Sequence, residues 1–159
     1  MANWRRKALA LFPDLRPELE QRSSTVYLLF MDLLPRLWVA HKTGDQAELR
    51  RIYGFAEWCS RQKATDLWNS AGVSFYEHLF DSHPSYRSEV VRWLSPTVIR
   101  THWGLWEQRL TTCELKELRR LIDDCPAPCW REANMEQITP PPGMLDPGIV
   151  KNRNRSPVE

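Results

Sequence analysis

Residues 26–40, VYLLFMDLLPRLWVA, are the strongly apolar stretch that decides the fold class of this chain. One apolar stripe along it has the spacing i, i+4, i+7 and i+11, and consists of Tyr27, Met31, Leu34 and Trp38. Three further side chains widen that stripe: Phe30, Leu33 and Leu37. This spacing predicts a helix at the centre of a helical core. Pro35 predicts a kink or a restarted helix, because proline cannot donate the helical hydrogen bond.

Similar patterns with helix start signals continue on both sides of this stretch. They predict further helices over residues 3–12, 45–61, 65–81, 84–94, 96–110 and 112–122. Asp45, Ser95 and Thr111 are the predicted N-caps, and the Glu114 that follows Thr111 completes a capping box. No stretch shows the alternation of a β-strand. We therefore predict an all-α fold, a compact bundle of about six to seven helices.

The composition divides the chain into two parts and excludes several classes of protein. Of 159 residues, 42% are hydrophobic and 26% are charged, which is typical of a globular domain. Seven of the 12 prolines follow residue 124, so we assign residues 1–124 to the helical domain and 125–159 to an extended proline-rich tail. No apolar run approaches the roughly 18 residues of a membrane span. The apolar run Ala8–Phe12 is too short for a signal peptide, which predicts a cytoplasmic protein without a membrane partner.

The sequence lacks the common catalytic motifs and offers one candidate metal site. The sequence contains no glycine-rich phosphate loop, no His-Glu-x-x-His pair and no Gly-x-Ser-x-Gly elbow, so we predict no catalytic residue and no cofactor, and favour a protein that is not an enzyme. The best metal candidates are Cys113, Cys125 and Cys129, with His102 or His83 as a fourth zinc ligand. Reduced thiols on a proline-stiffened loop are the alternative interpretation and the one we favour. A metal-dependent protein or enzyme that uses His78, His102 and the three cysteines stays open as an alternative function.

The histidines have simpler interpretations. We interpret His41 as a cation near the C-terminal end of the first apolar helix, where it would favour the helix dipole. His102 is interpreted as a partly buried side chain with a satisfied hydrogen bond, and Asp81 is placed to orient the ring of His78.

Eight tryptophans are many for a chain of this length. Trp38, Trp103 and Trp106 fit core stripes, whereas Trp58, Trp68, Trp93 and Trp130 are harder to place inside. We predict that exposed tryptophans together with an arginine bind a partner, at Trp58, Trp68, Arg92, Trp93 and Trp130. Such residues can also stack on single-stranded nucleic acid, which is the second alternative function. Acidic residues alternate with the basic ones and the net charge is only +2, so another protein is the expected partner, and a homodimer could form through the tail.

Four stretches carry a resemblance to a known family: residues 11–15 (LFPDL), the apolar helix 27–38, residues 44–49 (GDQAEL) and residues 70–79 (SAGVSFYEHL). Over residues 8–81 the chain resembles a family of small, uncharacterised bacterial all-helical domains. The resemblance implies a short cytoplasmic protein, immunity-like, adaptor-like or accessory to a neighbouring gene product. It implies no catalytic residue.

Overall fold

The computed structural model describes residues 2–125, and this part of the chain is all-α, as predicted. Three single-turn 3₁₀ helices, Pro13–Leu15, Tyr76–His78 and Pro84–Tyr86, lie between the α-helices. In chain order, the eight α-helices within the described residues are α1 (Asn3–Leu11), α2 (Arg16–Leu19), α3 (Val26–Thr43), α4 (Gln46–Ser60), α5 (Thr65–Ser74), α6 (Arg87–Val91), α7 (Pro96–Arg109) and α8 (Thr112–Asp123). Apart from Cys125, the predicted tail lies outside the described residues, and so do its Cys129 and Trp130.

Helix α3 forms the centre of the fold, and its buried side matches the predicted stripe in part, at Phe30, Leu33 and Leu37. The core side consists of Val26, Leu29, Phe30, Leu33, Leu37, Ala40 and His41. Tyr27 and Met31 of the predicted stripe are exposed instead. The helix continues through Pro35 without a restart, from the Thr25 side-chain cap to Gly44 at φ 71°. Because α3 is apolar on two sides, helical spacing alone could not decide which side faces the core.

Helix α4 begins where predicted and α5 ends earlier than predicted. The Asp45 side chain accepts a hydrogen bond from the Glu48 backbone N–H, which caps α4. Helix α5 stops at Ser74, although its stripe was predicted to run to residue 81. The indole N–H of Trp106 donates to the Tyr76 carbonyl oxygen at 2.7 Å, so α7 satisfies a backbone acceptor beyond the end of α5.

The segment 84–94 is also less helical than predicted, since α6 covers only Arg87–Val91. The Arg87 guanidinium is buried and donates to the Phe80 carbonyl oxygen at 2.8 Å and to Glu114 Oε1 at 2.7 Å. These bonds join the turn before α6 to the start of α8. Ser95 caps α7, and Thr111 and Glu114 form the predicted capping box of α8.

A row of phenylalanine rings runs through the core: Phe30 is on α3 and Phe55 on α4, while Phe12 and Phe75 directly follow the ends of α1 and α5. Phe12, Phe55, Phe30 and Phe75 follow one another with ring centroids 6.0, 5.6 and 5.4 Å apart. These segments bury one continuous apolar cluster, so the described helices share a single core. What remains outside this core on α3 becomes the candidate site.

Candidate protein-docking surface

The outer face of α3, opposite its core side, carries apolar side chains along most of its length. We define it as the exposed residues Tyr27, Leu28, Met31, Pro35 and Val39, with Leu34 and Trp38 at its edge, where they are half-buried against the core. The exposed fractions are 47% for Tyr27, 51% for Leu28, 45% for Met31 and 61% for Val39. A contiguous apolar surface of this kind, as opposed to scattered single residues, is typical of a binding site.

A groove borders the N-terminal half of this face. Its volume is about 240 Å³, and Leu28 and Met31 line one side of it. Leu15 and Leu19, from the first 3₁₀ turn and α2, line the other side. Glu18 and Asp32 add two exposed carboxylates to the lining. The groove therefore combines apolar walls with negative charge.

A second depression, of about 410 Å³, lies beside Pro35 and Val39 where α3 meets α4. Arg36 lines it and holds the neighbouring elements together. Its Nη1 lies 2.7 Å from Asp14 Oδ2, and its Nη2 lies 2.6 Å from Glu48 Oε1. Arg51 pairs with the other oxygen of Glu48. This network connects the first 3₁₀ turn, α3 and α4, and so gives the outer face of α3 a fixed support.

Trp38 ends the apolar face against an aromatic cluster. Its ring centroid lies 4.4 Å from that of His83 and 6.5 Å from that of Tyr86, the latter in a stacked arrangement. Trp38 is half-buried, so only part of the ring faces solvent. The rings of residues 83 and 86 thus form the border of the surface at this end.

The predicted partner-binding residues differ in how deeply they are buried. Trp68 is 45% exposed and Arg92 is exposed, as the prediction required. Trp58 is half-buried and stacks on Phe55 with ring centroids 6.1 Å apart. The expected exposure of Trp93 is wrong, because its ring is 7% exposed and stacks on Tyr53 at 5.5 Å with an interplanar angle of 5°. Trp130 lies outside the described residues.

The exposed Trp68 is on α5, a different helix from the outer face defined above. It lies one turn from Gly72 on α5, and a Cβ atom at Gly72 would lie 3.6 Å from Leu105 and 3.7 Å from His102 of α7. Trp68 is therefore on the α7 side of its helix.

Two histidines differ from their interpretation as surface or hydrogen-bonded groups. His41 is buried, and burial lowers its pKa to about 4, so it is neutral at pH 7 and does not act as a cation at the end of α3. Burial also lowers the pKa of His102 to about 4. The His102 ring stacks on Tyr76 with centroids 4.3 Å apart, and its buried Nε2 has no hydrogen-bond partner among the described residues.

The remaining metal and catalytic candidates do not converge. Cys113 is exposed and Cys125 is half-buried, while Cys129 lies outside the described residues. Within residues 2–125, no group of three or more His, Cys, Asp or Glu side chains could hold a metal ion. The His78 Nδ1 atom lies 3.6 Å from Asp81 Oδ2, in line with the predicted orientation of that ring. Asp81 is engaged more closely by Arg109, whose Nε donates to it at 2.8 Å.

Comparison with protein families places the chain in a known group. The model of a domain of unknown function, DUF7674, matches residues 5–112, which is more than half of the chain. The chain belongs to this family. The match extends beyond the resemblance over residues 8–81 and includes all of α7. No curated protein and no solved structure matches the chain.

The sequence did not predict the outer face of α3, because Tyr27 and Met31 of that face have the spacing of a core stripe. The sequence does contain a signal for this face: Leu28, Pro35 and Val39 are apolar but lie outside the predicted core stripe. Even so, no helix among residues 2–125 has the length and hydropathy needed to cross a membrane. The exposed apolar face of α3 is therefore a candidate contact surface.

Proposed function

We propose that this protein is a non-catalytic, cytoplasmic helical module that binds another protein through the outer face of α3. The observation that carries the proposal is the exposure of Tyr27, Leu28, Met31 and Val39 along one helix. Leaving so much apolar surface in water is unfavourable, by about 25 cal/mol per Å² of apolar surface. A protein partner that covers this surface would recover that free energy.

The support beneath the surface also favours a binding role. Arg36 joins α3 to the first 3₁₀ turn and to α4, so the backbone beneath the exposed side chains is already positioned. A rigid surface loses little conformational entropy on binding, which favours affinity. A module of this kind suits the immunity-like or adaptor role that the bacterial family resemblance implies.

The alternatives receive less support from the contacts. Six arginines within residues 2–125 form ion pairs with acidic side chains: Arg16, Arg36, Arg51, Arg61, Arg87 and Arg109. Arginines engaged in this way are less available to phosphates, which argues against nucleic acid as the partner. The candidate zinc ligand His102 lies in the core against Tyr76, which argues against the metal-dependent alternative.

Site-specific photo-crosslinking in cells of the source organism tests the proposal. A benzoylphenylalanine placed at Leu28 or at Val39 is expected to capture the same protein, because both positions lie on one face. The same group at Arg120, an exposed position on α8, is the control and is expected not to capture it. The captured protein, once purified, should bind the full chain in calorimetry and should bind the Leu28→Lys variant at least about tenfold more weakly.

Two results would contradict this proposal. One is the absence of any protein common to the two α3 positions. The other is unchanged affinity of the purified partner for Leu28→Lys when circular dichroism shows that the variant is folded.

A further inference from the structure

The groove beside Leu28 and Met31 has a chemistry that identifies the kind of segment it would accept. We infer that it binds a basic amphipathic segment of a partner protein, one that carries apolar side chains with lysine or arginine beside them. This inference rests on the proposed function and specifies the partner of the same surface.

The walls of the groove are apolar and leave room for apolar side chains of a partner. Leu15 and Leu19 face Leu28 and Met31 across a volume of about 240 Å³. That volume accommodates one or two aliphatic side chains of a partner, given that a fully enclosed cavity of about 150 Å³ holds a benzene molecule. Methionine adapts its shape to different apolar partners, which suits a recognition surface.

The groove also carries two carboxylates that have no basic partner among residues 2–125. Glu18 and Asp32 both line the groove and both are exposed. Within residues 2–125, no ion pair involves either of them. By contrast, the neighbouring carboxylates Asp14 and Glu48 are both paired with Arg36. A cationic side chain of a partner would therefore find two carboxylates that no described residue neutralises.

Together these features favour one chemistry over the others. An acidic segment would be repelled by Glu18 and Asp32, and a purely apolar one would leave both carboxylates without a partner at the edge of the interface. A segment with apolar residues and a nearby lysine or arginine satisfies both parts of the groove. Long basic side chains suit this arrangement because their methylene stems pack on apolar walls while the charge reaches the carboxylates.

Two synthetic peptides test the inference with the full chain. Both are helical peptides of about 14 residues with the same leucine positions, one with lysine and the other with glutamate at the polar positions. Fluorescence anisotropy is expected to show at least about tenfold tighter binding of the leucine–lysine peptide, with an affinity that falls as salt is raised. Nuclear magnetic resonance should place the contact on residues 15–32.

Charge-reversal variants distinguish the groove from the overall charge of the protein. Glu18→Lys with Asp32→Lys is expected to reduce the affinity for the lysine peptide by at least about tenfold. Asp123→Lys with Asp124→Lys changes the net charge equally at the exposed end of α8 and is expected to reduce it much less. Equal losses in the two double variants would overturn the inference, as would equal binding of the two peptides. Circular dichroism and thermal melting show whether each variant is folded.

Occupation of the groove by a C-terminal segment of the same chain would give a different result. The chain itself has apolar and basic residues together at Ile149, Val150, Lys151 and Arg153. If that segment filled the groove, a zero-length carbodiimide crosslink would join Lys151 to Glu18 or Asp32, and neither peptide would bind. This would overturn the inference of a partner's segment. Failure of the peptides alone would leave the photo-crosslinking result at Leu28 and Val39 intact, so the two proposals fail separately.

Discussion

The Nε2 atom of His41 lies 2.9 Å from the hydroxyl oxygen of Tyr53, and both side chains are buried between α3 and α4. The Nδ1 atom of the same ring has no hydrogen-bond partner within the described residues. A neutral ring fits this environment, whereas a charged one would lose its hydration without gaining a carboxylate. Burial of this ring therefore favours its neutral form.

Stability should fall in mild acid for this reason. The pKa values of His41 and His102 are about 4 in the folded chain, against 6.5 for an ordinary histidine. Between pH 4 and pH 6.5, the unfolded chain therefore binds more protons than the folded chain. Stability from the two neutral rings is fully present above pH 6.5 and is lost as the pH falls towards 4. Urea unfolding at pH 7.5, 6.5, 5.5 and 4.5, spanning that window, should give midpoints that decrease at each step below 6.5.

A His102→Phe variant provides the control for that prediction. It keeps an aromatic ring against Tyr76 and removes both the titration and the unpartnered Nε2. We expect a smaller loss of stability between pH 6.5 and 4.5 than in the original chain. An unchanged pH dependence would contradict the assignment of acid sensitivity to this residue.

The Tyr53→Phe substitution should destabilise the protein even though the ring is kept. It removes the partner of His41 Nε2, which would leave both nitrogens of a buried ring without a described partner. The expected cost is about 1–3 kcal/mol in the free energy of unfolding, measured by urea titration at pH 7.5. Tyr27→Phe, at an exposed position on α3, should change it by less than about 0.5 kcal/mol. Equal effects at the two positions would show that the His41 contact is not the cause.

Arg87 should be sensitive to conservative replacement. Its buried guanidinium donates twice to the Phe80 carbonyl oxygen and once to Glu114, a set of bonds that a lysine cannot reproduce. Arg87→Lys is expected to lower the free energy of unfolding by about 2 kcal/mol. Arg16→Lys, in an exposed pair with Glu20, should have almost no effect. Thermal and urea unfolding of both variants check the difference, and similar values would contradict it.

Pro35 is expected to lower the free energy of unfolding of the protein. It lies inside α3, where it removes a backbone donor. Pro35→Ala is therefore expected to raise the free energy of unfolding by about 1 kcal/mol or more. Pro96→Ala, in the first turn of α7 where proline is favourable, should give no gain. A loss of stability in Pro35→Ala would mean that the proline itself is needed for the packing of α3.

Local features were predictable from the sequence because each depends on neighbours only three residues away. The caps at Asp45 and Ser95 and the capping box at Thr111 were all identified, and the structure contains each of them. A cap requires only a side-chain oxygen at the right distance from a nearby backbone N–H. The all-α fold class followed from the same local signals together with helical spacing.

Tertiary structure alone decided which side of α3 is buried and where the tryptophans lie. Trp93 is inside because Tyr53, forty residues earlier in the chain, stacks on it, and no local pattern contains that contact. The α5 helix ends early where Trp106 of α7 bonds to the Tyr76 carbonyl. On α3, either apolar side could have faced the core, and packing against α4 and α5 selected the side that contains Phe30. The other side, with Leu28 and Met31, became the surface because the described helices share a single core that it does not face.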